Sequence, residues 1–293
     1  MNWAEIDKNI SDATQTSFKT ISSNSIGGGS INSAYQLIGE QYHYFVKLNS
    51  ASKLNMFEME VNGLNELKKP SSIRVPETIC FGATQSHAYI VLQMIQLDHG
   101  EPSSEEKLGI QLAQLHKNTQ NEFGWEFDNY IGLTKQVNSP TDDWVEFYRN
   151  NRLEFQMRLA HQNGMQRSIL KLADSLCENL EIFFDRYTPL ASLLHGDLWS
   201  GNYGFDHVGD PIIFDPATYY GDRETDLAMT ELFGGFSKKF YQAYQDYYPL
   251  SDDYPIRKNL YNLYHVLNHF NLFGSSYESQ AKVMLQKLIS EIR

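Results

Sequence analysis

Between residues 191 and 215 the chain sets three short apolar runs one after another, LLHGD, NYGFD and PIIFD, and each one closes on an aspartate. Runs this short, bounded by glycine, proline and aspartate, are the pattern of short buried strands and not of helices. The fold must therefore bury these strands on both sides while leaving the polar ends free. That demands a large surrounding core, and a chain of 293 residues is long enough to supply one.

The polar ends carry a specific spacing. In LLHGDLWSGN, His195 precedes Asp197 by two positions, and Asn202 follows Asp197 by five. Asp215 ends the next apolar run, IIF. Phosphoryl transfer needs a carboxylate to accept or orient the proton of the attacking hydroxyl, and oxygen ligands for Mg²⁺. Asp197 fits the first role, and Asn202 and Asp215 fit the second. Taken alone, Asp197 reads equally well as a turn or cap residue; its companions favour the catalytic reading. His195, in an extended segment, reads as a brace that holds the loop by hydrogen bonds.

Upstream, the texture is that of a sheet. KTISSNSI, NSAYQLI, YHYFVKL, TICFG and HAYIVLQM are five candidate strands, with a turn at Gly39-Glu40-Gln41. One helix interrupts them at LNMFEMEVNGLNELKK, where Leu54, Phe57, Val61, Leu64 and Leu67 recur at helical spacing. After Gln96 the pattern turns helical, with further helices expected at 141–163, 166–185, 224–247, 256–273 and 276–292, and with Thr141 and Ser275 or Ser276 as N-caps. The expected fold is α+β and bilobed. A five-stranded antiparallel sheet with one helix forms residues 1–95, a hinge lies at about 93–98, and a mainly helical lobe covers 96–293.

Phosphate contacts belong in the first lobe. Gly27, Gly28 and Gly29 lie between two candidate strands, where backbone amides can approach phosphates closely. A glycine triplet there also suits an ordinary hairpin. Lys47 lies in the next strand, YFVKL, whose alternation points it to one face. Glu58 and Glu60 on the following helix are both able to pair with it, and Glu60 is favoured because it flanks the apolar stripe.

Composition narrows the partners. A net charge of −12 disfavours general nucleic-acid binding, and no apolar run is long enough to span a bilayer. The amino terminus, MNWAEIDKNI, lacks a basic region followed by an apolar stretch, so a cytoplasmic enzyme is expected, as a monomer or weak homodimer. Two cysteines, Cys80 and Cys177, form no framework and read as small apolar side chains. His265 and His269 stand at i and i+4 without the glutamate of a zinc motif.

For the acceptor, Trp199 follows Asp197 by two positions and offers a ring for a sugar or an amine, or else packs behind the loop. In the late helix, either the row Tyr264, Asn268 and Asn271 or the row His265 and His269 faces the cleft, with His269 the favoured candidate. Asp222, Glu224 and Asp226 either make an acidic mouth for a cationic amine or serve a helix N-terminus. Asp226 equally suits a brace for the catalytic loop.

The tracts LLHGDLWSGN, FDPATYYGDRETDLAMTELFGGF and YNLYHVLNHFNLFG, together with FVKLN, MFEMEVNGL and DDWVEFYRNNRL, resemble the fructosamine kinase, or ketosamine kinase, family. That family is similar in fold to aminoglycoside phosphotransferases and choline kinases. The resemblance implies ATP- and Mg²⁺-dependent phosphorylation of the 3-hydroxyl of a ketosamine, a deglycating repair. Position by position it implies Asp197 as base, Asn202 and Asp215 as metal ligands, Lys47 as phosphate lysine and Glu60 as its partner. Gln93, Met94 and Ile95 would then contact adenine. Ser30 stands in the glycine loop where some members carry cysteine, so thiol control there is not expected. Pro-Ala follows Asp215 in place of Phe-Gly. The competing readings are an aminoglycoside or choline kinase of the same fold, and a nucleotide-binding pseudokinase.

Overall fold

The computed structural model describes residues 3–27 and 31–292. The first part comprises helix α1 (Ala4–Thr14), strands β1 (Ser22–Ile26), β2 (Ser33–Ile38) and β3 (His43–Ser50), helix α2 (Leu54–Lys68), and strands β4 (Thr78–Ala83) and β5 (His87–Gln93). The strands form one antiparallel sheet in the order β1-β2-β3-β5-β4. All five expected strands are present, and the β2–β3 turn closes where Gly39 donates its N–H to Tyr42 O.

Strand alternation decides what each face of the sheet carries. Tyr44, Val46 and Leu48 of β3, with Tyr89 and Val91 of β5, pack against Ile6 and Ile10 of α1. Ala88, Ile90 and Leu92 pack on the other side against Phe57, Val61, Leu64 and Leu67 of α2. Lys47 pairs with Ile90 across β3 and β5, so the two-residue period turns its side chain toward α2. The sheet thus has two helices rather than the expected one. Trp3, Ile6 and Ile10 recur at helical spacing and cover a face that would otherwise expose five large side chains.

Residues 94–101 link β5 to the helical part, and Asp98 N–H donates to Phe205 O on the way. There follow α3 (Pro102–His116), β6 (Thr119–Gln120), the hairpin β7 (Asn129–Ile131) and β8 (Thr134–Gln136), α4 (Trp144–Phe147), α5 (Glu154–Gln162) and α6 (Arg167–Glu178). The four short strands β9 (Ala191–Leu194), β10 (Tyr203–Phe205), β11 (Pro211–Ile213) and β12 (Tyr219–Gly221) come next. Helices α7 (Glu224–Leu232), α8 (Lys238–Tyr247), α9 (Tyr254–Phe273) and α10 (Glu278–Ile292) complete the chain. Strand β9 lies between β12 and β6, while β10 and β11 form a separate hairpin. Among the described residues no helix is long and apolar enough to cross a membrane.

Several helix limits differ from expectation for local reasons. The span 141–163 is α4, a π-helical turn at Tyr148–Leu153 and α5, and its cap is Asp143, which accepts from Glu146 N; the Thr141 hydroxyl accepts from Asp143 N instead. The span 166–185 ends as α6 and continues as a 3-10 segment, Leu180–Phe184. Gly234 and Gly235, both at positive φ, break 224–247 into α7 and α8. A 3-10 turn at Ser275–Tyr277 precedes α10, and among the described residues neither the Ser275 nor the Ser276 hydroxyl makes a capping bond.

One apolar cluster joins α2 and the sheet to Leu108 and Leu112 of α3, Leu193, Phe205 and Ile213, so the short strands share a core with both parts. A larger cluster surrounds α9. Helix α7 is pinned to α9 by a bidentate ion pair: Arg257 Nε and Nη2 donate to Glu224 at 2.7 and 3.0 Å. Both side chains are at most 1% exposed. Removing one partner leaves the other charge buried and unpaired. Arg257→Met should therefore lose about 3–5 kcal/mol of stability, read as a lower urea midpoint at unchanged slope.

Candidate active site

Two buried leucines, Leu193 and Leu194, carry β9 through the core, and the loop 195–202 begins where the strand ends. Gly196 adopts φ +85, and a Cβ there would lie 2.1 Å from Ala217 O, so only glycine lets the chain turn against the neighbouring segment. Asp226, in the first turn of α7, clamps this turn. It accepts from His195 N at its Oδ2 and from Gly196 N at its Oδ1, both at 2.8 Å. Burial raises the pKa of such a carboxyl, but hydrogen bonds donated by His116 and Gly196 outweigh it and hold Asp226 below the usual carboxylate range.

His195 is fully buried, and burial lowers its pKa, so the ring is neutral. Its Nδ1 accepts from Asp197 N at 3.3 Å, which leaves Nε2 to donate to Phe214 O at 2.9 Å. Both nitrogens are spent on backbone, consistent with a bracing part. The ring ties the loop 195–202 to the residue before Asp215.

On the other side of the cleft, Lys47 is 4% exposed. Its Nζ lies 2.6 Å from Glu60 Oε1 and also pairs with Asp215 Oδ1. Burial alone would lower the Lys47 pKa, but Asp215 and Glu60 together raise it well above the usual lysine range. Glu60 is raised by burial against the attraction of Lys47. Of the two glutamates left open by the sequence, Glu60 makes the pair and Glu58 is exposed.

Asp197, Asn202 and Asp215 converge at one end of the β10–β11 hairpin. Asn202 directly precedes β10, and its carbonyl accepts from Phe214 N at 3.0 Å, beside Asp215. Asn202 Nδ2 donates to Asp197 O at 2.8 Å and to Asp197 Oδ2 at 3.4 Å. The Asp197 carboxyl is pushed up to about 7, first by burial and then by the charges of Asp215 and Asp226, against the Asn202 donor. Asp215 sits at φ +60, a strained conformation for a residue with a side chain, and its carboxylate is 43% exposed.

The donor set suits a hard cation. Asn202 has its nitrogen engaged and, among the described residues, no donor to its amide oxygen, and Asp215 presents a half-exposed carboxylate. Two carboxylates share the one ammonium of Lys47, leaving an excess of negative charge that a divalent ion would offset. Among the described residues no cluster of three or more His, Cys, Asp or Glu is arranged around a metal. A site of this kind takes its remaining ligands from water and phosphate, as Mg²⁺ does.

The other candidates are placed variously. Gly28, Gly29 and Ser30 lie outside the described residues; Gly27 follows β1, with open space where a side chain would begin. Gln93 ends β5, and Met94 and Ile95 are half-buried in the linker beyond it. Trp199 is half-buried, with its ring over Gly201. His269 is half-buried among the rings of Phe233, Phe273 and Tyr277, at centroid distances of 4.8 to 5.5 Å, and its Nδ1 donates to His265 O.

Three expectations are corrected. Asp222, Glu224 and Asp226 form no acidic mouth: all three are at most 1% exposed, with Asp222 accepting from the hydroxyls of Tyr187 and Tyr261 and Glu224 held by Arg257. In the other row Tyr264 and Asn268 are buried, and Tyr264, Asn268 and Asn271 spend their polar atoms on Gln136 and Gln156. His265 is buried as well, and burial lowers its pKa to about 3. His116 is a participant that the sequence reading omits; it reaches Asp226 from 110 positions away, and no local pattern marks it.

Comparison with known proteins agrees with this geometry. Residues 2–291 match the fructosamine kinase family. A probable ketoamine kinase of Synechocystis is 43% identical over 288 residues, covering 98% of this chain and 97% of its own. A chloroplastic protein-ribulosamine 3-kinase of Arabidopsis thaliana is 38% identical over 272 residues, covering 92% of this chain and 83% of its own. The crystal structure of a Haemophilus somnus protein assigned as a fructosamine-3-kinase superposes with a TM-score of 0.91 at 28% identity, over 98% of this chain and 97% of that one. With a family match that runs almost from end to end and a relative 43% identical across nearly the whole chain, this chain belongs to the fructosamine kinase family.

Proposed function

We propose that the protein transfers the γ-phosphoryl group of ATP to the 3-hydroxyl of a ketosamine, a sugar joined to an amine by glycation. The observation that carries this reading is the convergence of Lys47, Glu60, Asp197, Asn202 and Asp215, drawn from a strand, a helix and two loops, on one cleft. A pseudokinase has no need to keep all five.

Each residue has a part that follows from its surroundings. Gly27 approaches the phosphates, and Gln93, Met94 and Ile95 receive adenine where the linker leaves the sheet. Lys47, oriented by Glu60, neutralises phosphate charge. Asn202 and Asp215 would hold Mg²⁺, which supplies charge neutralisation at the β- and γ-phosphates when bound. Asp197 accepts the proton of the attacking hydroxyl, and a carboxyl poised near neutrality suits that task. Trp199 and His269 are assigned to the acceptor in this reading, since aromatic rings suit a sugar face or a cationic amine. The division of labour puts the nucleotide against residues 1–95 and the acceptor against residues 96–293. Destabilising the phosphorylated adduct makes the activity a deglycating repair.

The direct test is incubation with Mg-ATP and a panel of ketosamines, aminoglycosides and choline, followed by phosphorus NMR. Phosphate on the ketosamine 3-hydroxyl is the expected product, and transfer only to an aminoglycoside or choline overturns the substrate assignment. Asp197→Asn should lower kcat by about a thousandfold while ATP affinity holds; near-native turnover would remove Asp197 as base. Asp197 works only when ionised, so kcat/KM, which follows the free enzyme, should fall as pH drops through about 7. An acid limb near the ordinary carboxylate range would contradict the environment described for Asp197.

A further inference from the structure

Asp226 accepts a third hydrogen bond, and it comes from the far side of the helical part. His116, the last residue of α3, has no exposed surface. Its Nε2 lies 3.2 Å from Asp226 Oδ2, and its Nδ1 lies 2.8 Å from Tyr244 Oη of α8. Arg223 Nη1 donates to the same Tyr244 oxygen at 3.1 Å.

The polarity of this chain follows from elementary bookkeeping. An ionised Asp226 only accepts, so the proton between it and His116 sits on Nε2. Burial lowers the His116 pKa, so the ring is neutral and its Nδ1 is an acceptor. Tyr244 must then donate its hydroxyl proton to Nδ1, which leaves its oxygen free to accept from Arg223. Every group is satisfied in one direction only: Arg223 to Tyr244, Tyr244 to His116, His116 to Asp226. A side chain that merely filled space between α3, α7 and α8 would need no polar atom.

Among the described residues Asp226 has no lysine or arginine partner. Its charge is held by three N–H groups, and two of these belong to the turn that presents Asp197. Losing the third shifts the carboxylate relative to that turn, and small displacements of a reacting group cost rate steeply.

We infer that His116 is a positioning residue for phosphoryl transfer: by donating from Nε2 it fixes the Asp226 carboxylate that clamps His195 and Gly196, and through them the place of Asp197 against the acceptor hydroxyl. Tyr244 sets the tautomer that makes this donation possible. The inference rests on Asp197 as the base, and its test separates the two. His116→Phe should lower kcat by about tenfold to a hundredfold, with KM for Mg-ATP and for a fructosamine of lysine nearly unchanged. His116→Gln, whose amide restores a donor at the Nε2 position, should recover most of that loss. Undiminished kcat in a folded His116→Phe protein overturns the proposal, as does a folded His116→Gln protein no better than the Phe variant. Should His116→Phe fail to fold, ¹⁵N NMR of the unaltered protein decides: the His116 ring is expected with a bare Nδ1 and a protonated Nε2, and a proton on Nδ1 overturns the proposal. Retained turnover in Asp197→Asn would instead remove the base while leaving the tautomer and the His116 effect in place.

Discussion

A carboxylate with 1% exposure has to be neutralised or fully hydrogen-bonded, and Asp226 takes the second course. Two of its three donors are consecutive backbone amides of the loop that presents Asp197. The loop cannot swing without leaving a buried charge unsatisfied, a penalty of several kcal/mol. Because α7 starts at that point, the placement of the whole helix relative to β9 is part of the site. The ion pair of Arg257 and Glu224 two residues earlier then ties α7 to α9, and through it to the largest core.

The cleft has a complementary logic on its other wall. Lys47 is buried by the sheet and α2, and two carboxylates share its charge. One of them, Glu60, belongs to the same part of the chain; the other, Asp215, comes from beyond β11. The ammonium therefore bridges the sheet to the segment that follows the short strand β11. Arg74 adds a second bridge, since it donates to Asp206 at 2.9 Å while its carbonyl accepts from Ile213 N. Burial, and then the charges of Asp215 and Asp226, push the Asp197 carboxyl upward.

Much of this was legible in the residues, because it is local. Strand alternation is local, so the five strands and the facing of Lys47 could be read from YFVKL and its neighbours. The spacing of Asp197, Asn202 and Asp215 is local as well. Trp3, Ile6 and Ile10 carried a helical spacing that a search for strands passes over. The helical span 224–247 looked continuous because Phe233 and Phe236 keep an apolar rhythm through the two glycines that break it. Side-chain destinations were less legible. Tyr264, Asn268 and Asn271 share a face, but whether that face meets a cleft or Gln136 and Gln156 depends on where α5 and the β7–β8 hairpin pack.

The sequence by itself determined the family, the bilobed fold and the spacing of Asp197, Asn202 and Asp215 on which the proposed chemistry is built, since each rests on residue type and short spacing. Only the tertiary structure decided that Glu60 and not Glu58 meets Lys47, that Asp222, Glu224 and Asp226 are buried rather than lining a mouth, and that His116 reaches Asp226. The reason is physical. Period and spacing are properties of neighbouring residues, whereas the burial of a charge and the partner that satisfies it are properties of segments that meet only when the core closes.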